Sequence, residues 1–303
     1  MASTYHDGEL AVQRQAGVEG MARRVGLSIK DTMALPAQAF VRERPFVVVA
    51  STDTHGRVWA SLLVGTPGFM EPVDERTLRI DAAAIAGDPL VANLDTNSAV
   101  GLLLIDPATR RRMRVNGNAL RQGNGTLLVT AQQVYANCPK YIQARDVMVV
   151  SKAASTTPVV HRSTQLTPTQ QDWIASADTF FIATAHPARG ADVSHRGGNP
   201  GFVHVLGSHT LLFPDYAGNT MFQTLGNIQA NPYAGLLFVN WSNGSLLQLT
   251  GSATIVWDTD VAAQFVGSER AVRVELSAAI ELTEASSLRS TTVDYSPFNP
   301  AEA

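Results

Sequence analysis

The chain has one cysteine, Cys138, so no disulfide can form within it, and a reducing, cytoplasmic setting is the default expectation. Charge is scarce as well. Charged residues make up only 16% of the 303, and 23 Lys and Arg against 26 Asp and Glu leave a net charge of −3. Neither nucleic acid nor a membrane surface is therefore expected as a partner. No apolar stretch approaches the ~20 residues that a spanning helix needs. The N-terminal Tyr5-His6-Asp7-Gly8-Glu9 is polar where a secretion signal would turn apolar, so Asn243-Gly244-Ser245 carries no weight as a glycosylation tripeptide. HExxH, paired CxxC, Walker A and a strand-linked GxGxxG are all missing. The 7 histidines are scattered, and no metal site is expected.

What the chain does have is a repeat. Shifted by 133 or 134 residues it overlays itself: Ser61-LLVGTPGF onto Ser194-HRGGNPGF, Asn93 onto Asn227, Gly101-Leu102-Leu103 onto Gly235-Leu236-Leu237, and Gly117 onto Gly251. A repeat this long is a duplicated domain, not a solenoid unit. The copies differ where a ligand would sit. His195 and Arg196 of the second copy correspond to Leu62 and Leu63 of the first.

Each copy predicts a short helix, a β-branched or aromatic strand (Phe46-Val47-Val48-Val49-Ala50; Phe180-Phe181-Ile182-Ala183), a turn and a second strand. For the second helix, Thr167, Pro168 and Gln170 form a capping box with proline in the first turn. The second strand ends in Gly-x-Pro-Gly-Phe, whose Gly68 and Gly201 suit a positive φ. A third strand, an inserted helix and two further strands complete the unit, which is a small antiparallel barrel. The Ser-, Thr- and Pro-rich stretch 151–168 reads as the boundary, giving domains 1–150 and 151–303, the latter ending in an extended arm from Ser286.

The chemistry concentrates in the second copy. Strand alternation puts Asp192, Ser194 and Arg196 on one face and His195 on the other, so Ser194 and His195 are not a nucleophile–base pair, while Ser194 and Arg196 can converge on one anion. A surface arginine beside a Gly-rich turn is the bland alternative. The junction Phe213-Pro214-Asp215-Tyr216-Ala217-Gly218-Asn219-Thr220 tilts the balance. Gly218 leaves room for close backbone approach, and Asn219 or Thr220 can cap a helix whose free amides favour phosphate. The corresponding first-copy stretch 81–88 has carboxylates and no base, so an anion would avoid it. Arg110-Arg111-Arg112 reads as a solvated edge. Lys140, after Pro139, suits an anionic partner, and Cys138 reads as a small, inert thiol.

Together these residues resemble the pyridoxamine 5'-phosphate oxidase-like superfamily, the FMN-binding split barrels. The match is strongest in 191–203, then in Phe213 to Asn219 with Asn231-Pro232 and Gly235 to Phe238, and the stretch Asn137-Cys138-Pro139-Lys140 also resembles the Cys-Pro-Lys that follows the barrel in several flavin-binding members. The resemblance implies a mainly β (α+β) fold of two tandem FMN-binding split β-barrels with short inserted helices. It implies FMN as cofactor, held by Ser194, His195, Arg196, Pro214, Asp215, Tyr216, Gly218, Asn219, Thr220 and Lys140. The superfamily's Ser-Arg-Lys phosphate loop is here Gly218-Asn219-Thr220, and the Arg-x-His substrate signature of true vitamin B6 oxidases is missing. The expectation is thus an FMN-dependent oxidoreductase of another small-molecule substrate, its proton donor unassigned. A non-catalytic flavin, deazaflavin or haem protein is the alternative, with His195 or His204 as axial candidates. A homodimer is expected, which would give the second copy's site a like partner.

Overall fold

The computed structural model describes residues 4–150 and 157–301. Helices α1 (Asp7–Gln15) and α2 (Glu19–Gly26) precede the first copy, which runs α3 (Leu35–Arg42), β1 (Phe46–Thr52), β2 (Val58–Val64), β3 (Met70–Pro72), β4 (Thr77–Ile80), α4 (Leu90–Leu94), β5 (Ala99–Asp106), β6 (Arg111–Arg121), β7 (Leu127–Asn137). β8 (Met148–Val149) and β9 (Val159–Ser163) lie between the copies. The second copy runs α5 (Pro168–Ser176), β10 (Thr179–His186), β11 (Gly190–Gly197), β12 (His204–Val205), β13 (Thr210–Tyr216), α6 (Gln223–Ala230), β14 (Tyr233–Val239), β15 (Leu246–Val256), α7 (Thr259–Ala262), β16 (Ser268–Thr283). β17 (Leu288–Arg289) follows and pairs with β8.

The protein is two tandem split barrels. Their sheet orders, β2-β1-β5-β6-β7-β4-β3 and β11-β10-β14-β15-β16-β13-β12, are the same order written twice. The registers repeat too. Val49 faces Ser61 as Ile182 faces Ser194, and Leu102 faces Val115 as Leu236 faces Leu249. Each barrel encloses its own apolar core, one around Val47, Leu63 and Leu104, the other around Phe180, Phe213 and Phe238. Gly68 and Gly201 take φ of 98° and 94°, the left-handed turn their motif anticipated.

A third core joins the barrels. Phe46, Val48, Trp59 and Leu62 of the first pack with Phe181, Val193, Leu237 and Ile280 of the second. Two glycines allow this approach. A Cβ at Gly101 would stand 2.6 Å from Asp192 Cα, and one at Gly235 would stand 2.5 Å from the Val58 carbonyl. The second barrel therefore has a like barrel packed against it within the same chain.

Three elements differ from the sequence-based expectation. Helix α1 is capped by His6, whose Nδ1 accepts the Gly8 and Glu9 amides while Glu9 accepts the His6 amide. His6 is outside the usual Ser, Thr, Asp and Asn set. α1 docks on α6 so closely that a Cβ at Gly8 would stand 2.1 Å from the Gly226 carbonyl oxygen. The boundary stretch is partly strand: β9 pairs with β16, and residues 151–156 of it lie outside the described residues. The C-terminal arm crosses its own chain, where Asp294 meets Arg110 at 2.7 Å and Asn299 meets Asn199 at 2.9 Å. Among the described residues no helix is long and apolar enough to cross a membrane.

Candidate functional site

A cleft of about 800 Å³, counting its solvent-open part, lies between the barrels. Ser194, His195, Arg196, Pro214, Asp215, Tyr216, Gly218, Asn219, Thr220 and Lys140 all line it. So do Arg112, Arg114, Asn137 and Cys138 of the first barrel. The cleft therefore has two walls, β11 with the β13–α6 junction on one side and the ends of β6 and β7 on the other.

The arginine run corrects the expectation of a solvated edge. Strand alternation sends Arg112 and Arg114 inward, and only Arg111 stays exposed. Arg114 donates to the Val193 carbonyl at 2.7 Å and to the Ser194 hydroxyl, capping the open edge of β11. Asp192 steadies it: its Oδ1 lies 3.5 Å from Arg114 Nε and accepts from the Tyr135 hydroxyl and Asn116 Nδ2, both at 3.0 Å. Burial and the adjoining Asp192 carboxylate hold the Tyr135 phenol well above its ordinary range.

His195 is 3% exposed, and its Nδ1 accepts from Arg112 at 3.0 Å, which places its proton on Nε2. Burial, then Arg112, Arg196, Arg114 and Arg145, push its pKa well below the ordinary value, so the ring is neutral. Arg112 itself has no carboxylate partner among the described residues, and burial beside Arg114 and Arg196 lowers its pKa to about 9. Arg196 lies 3.8 Å from Asp215, which is shared with Arg270 at 3.0 Å. Ser194 and Arg196 thus line one cleft, but each already has a protein partner.

The junction departs from the expected cap. Neither Asn219 nor Thr220 caps α6: Asn219 Oδ1 takes the Met221 amide, and Thr220 donates to the Asn219 carbonyl. The N-cap is Phe222, whose side chain makes no capping bond. Thr220 and Phe222 both hold φ of 61°, a left-handed conformation that costs side-chain-bearing residues energy and clusters at binding sites. Phe222 is held there by the Arg270 guanidinium, 4.9 Å over its ring. A Cβ at Gly218 would meet nothing nearer than 3.8 Å. Tyr141 and Tyr216 rings lie 5.1 Å apart at the cleft, and Lys140 Nζ sits 5.6 Å over Phe298 of the arm. Of the haem candidates, His204 stacks on Phe265 and does not line the cleft.

The residues fit an organic phosphate. Nε of Arg112 and Nε of Arg196 are buried without a partner, the α6 N-terminus has no side-chain cap, and cationic groups at the cleft outnumber the carboxylates among them. Such a cleft matches the charge of a phosphate monoester.

The family profile for pyridoxamine 5'-phosphate oxidase matches residues 36–156 and 166–293. No curated protein matches the chain. Similar solved structures include HupZ of Group A Streptococcus, at 13% identity and TM-score 0.34, covering 40% of this chain and 97% of that one. The haem storage protein HutZ of Vibrio cholerae aligns at 14% identity and TM-score 0.29, covering 38% and 93%. An F420 reductase aligns at 18% identity and TM-score 0.26, covering 42% and 98%.

Proposed function

The chain belongs to the pyridoxamine 5'-phosphate oxidase family, and from that premise we propose that it is an FMN-dependent oxidoreductase of a small molecule, with one cofactor site per chain. The observation that carries the proposal is the pairing of partnerless Arg112 and Arg196 Nε atoms with an uncapped α6 N-terminus in one inter-barrel cleft. Arg112, Arg196 and the Gln223 and Thr224 amides would hold the phosphate, Ser194 would donate to it, and Arg114 would fix Ser194. The Asp192–Tyr135–Asn116 set holds Arg114 in place. When bound, FMN supplies the hydride or electron chemistry, and the protein positions it and sets its electrostatic surroundings. His195, neutral and hydrogen-bonded through Nδ1, offers an Nε2 proton without adding charge.

The first barrel provides the second wall, so one chain completes the site. Sedimentation of the loaded protein is expected to show a monomer that keeps its flavin. Loss of flavin on dilution to monomer would refute that.

The test is a visible absorption spectrum of the purified protein, with the released chromophore identified by mass. A flavin spectrum and released FMN are expected. A colourless protein that ignores added FMN, or a Soret band on adding haemin that His195→Ala abolishes, would favour the non-catalytic deazaflavin or haem reading.

A further inference from the structure

Helices α1 and α2 stand ahead of the first copy, and no such pair recurs ahead of the second among the described residues. Yet it is the second copy that α1 packs against. Two glycines bring it onto α6: a Cβ at Gly8 would stand 2.1 Å from the Gly226 carbonyl oxygen, and one at Gly226 would stand 2.6 Å from Glu9 Cα. On the same face His6 Nε2 meets Asn227 Oδ1 at 2.9 Å. Further along α1, Gln13 is 1% exposed and donates from Nε2 to the Met221 carbonyl at 2.9 Å. The Met221 side chain is itself buried, in a small core with Tyr5, Ala22 and the Tyr135 of β7.

Met221 sits between the two left-handed residues of the junction, Thr220 and Phe222. That conformation is unfavourable for any residue with a Cβ, and most of all for a β-branched threonine. It persists only where the surroundings fix it. Here the residue in the middle is gripped at its carbonyl and at its side chain, both times from the segment ahead of the repeat. The first copy shows the same junction without such a grip. Its left-handed residue is Gly87, which takes φ of 89° at no steric cost, and no residue of 81–94 with a Cβ is left-handed. A turn that needs no holding has no strap, and the strained turn has one.

We propose that α1 is a strap that holds the α6 N-terminus in its anion-receiving conformation, with Gln13 as the positioning residue. Gln13 does not line the cleft, and it acts through the Met221 carbonyl. Without that bond Thr220 and Phe222 relax, and the Gln223 and Thr224 amides no longer converge on one anion. The effect on FMN rests on the flavin reading above, whereas the hold on the turn does not.

Gln13→Met keeps the length of the side chain and removes its donor. Amide hydrogen exchange of the full chain, read by mass spectrometry, is expected to quicken about tenfold over 217–227 and to stay unchanged over 84–94. FMN affinity is expected to fall about tenfold, the scale of one lost buried hydrogen bond. Thr220→Gly separates positioning from packing, because glycine takes a positive φ freely. In that background Gln13→Met should cost FMN affinity only about threefold or less, and an undiminished tenfold loss would overturn the positioning role. Gly8→Ala, which favours the helix itself but drives α1 off α6, is expected to give the same local exchange pattern. Unchanged exchange over 217–227 in both variants, or an equal rise over 84–94, would overturn the proposal. Faster exchange over 217–227 alone, in a protein that takes up no FMN, would leave the strap standing and sink the flavin reading.

Discussion

The two barrels meet at two related poles, and the same register equips them oppositely. At one pole β6 and β7 of the first barrel face β11 of the second; at the other, β15 and β16 face β2. Position for position, Arg112, Arg114 and Tyr135 correspond to Leu246, Gln248 and Ile280, and Asp192, His195 and Arg196 correspond to Trp59, Leu62 and Leu63. The scaffold contacts are preserved. Gln248 donates to the Ala60 carbonyl at 2.8 Å as Arg114 does to Val193, and Asn93 bonds Ser51 as Asn227 bonds Thr184. The anion position is what changed. At the second pole Asp88 accepts from Ser61 at 2.7 Å, from the Leu90 amide at 2.8 Å and from Gln248 at 2.9 Å. The residue corresponding to Asp88 is Phe222, which leaves the α6 amides uncapped. One pole carries its own carboxylate, and the other is built to receive an anion. A duplicated fold can thus keep its packing while only one copy of the site stays open.

Copying the closed pole onto the open one should have the largest effect. Arg112→Leu with Arg196→Leu introduces the residues found at Leu246 and Leu63. FMN affinity, read by fluorescence quenching, is expected to fall about a hundredfold or more as two charge-assisted contacts are lost. Retention of wild-type affinity would dissolve the distinction between the poles. Gly101→Ala and Gly235→Ala should be comparably harmful to both poles, because each Cβ would stand within 2.8 Å of the opposing backbone. Each is expected to cost about 1–3 kcal/mol by overpacking, read as a fall in Tm. A large loss from only one would show that the barrels do not meet as a related pair.

Asp88→Ala should lower stability by about 1–3 kcal/mol, since it strips Ser61, Gln248 and the Leu90 amide of their acceptor. Formate, a small stand-in for the lost carboxylate, should restore part of the Tm in this variant and not in the wild type. Failure of that rescue would mean that the closed pole is not an anion position.

The last predictions concern pH dependence. Burial raises the Asp88 pKa from 3.8 to about 6, so the folded chain holds this proton more tightly than the unfolded chain does. Stability should therefore decline as pH rises from about 3.8 to 6, and Asp88→Asn should remove that part of the slope. Glu9, raised from 4.5 to about 8 by burial and by Asp192, contributes a second decline from about 4.5 to 8, which Glu9→Gln should flatten in urea melts at several pH values. A slope unchanged in both variants would assign the pH dependence to other groups.

The comparison also shows what could be read from residues alone. The repeat, five of the seven strands on each barrel's path, the capped α5 and the cleft wall from Ser194 to Thr220 were legible, because β-branched runs, a Thr-x-x-Gln cap and an Arg beside glycines leave local marks, whereas β3, β7, β12 and β16 were not assigned to the barrels. Arg112, Arg114 and Asn137 were missed. Read locally, three successive arginines look like a solvated edge, and the inward turn of Arg112 and Arg114 depends on a partner barrel that is distant in sequence. The signal was nonetheless within the repeat: carrying the overlay one strand further sets Arg112 and Arg114 against Leu246 and Gln248. Helix α1 was missed because histidine is an uncommon cap, and Phe222 because a left-handed aromatic N-cap depends on Arg270, whose position is set by tertiary structure.

The central claim is that only the pole bearing Arg112 and Arg196 takes a cofactor. The most direct measurement is the number of FMN molecules bound per chain, by titration of flavin-free protein to saturation. The account predicts one. None, or two, would contradict it.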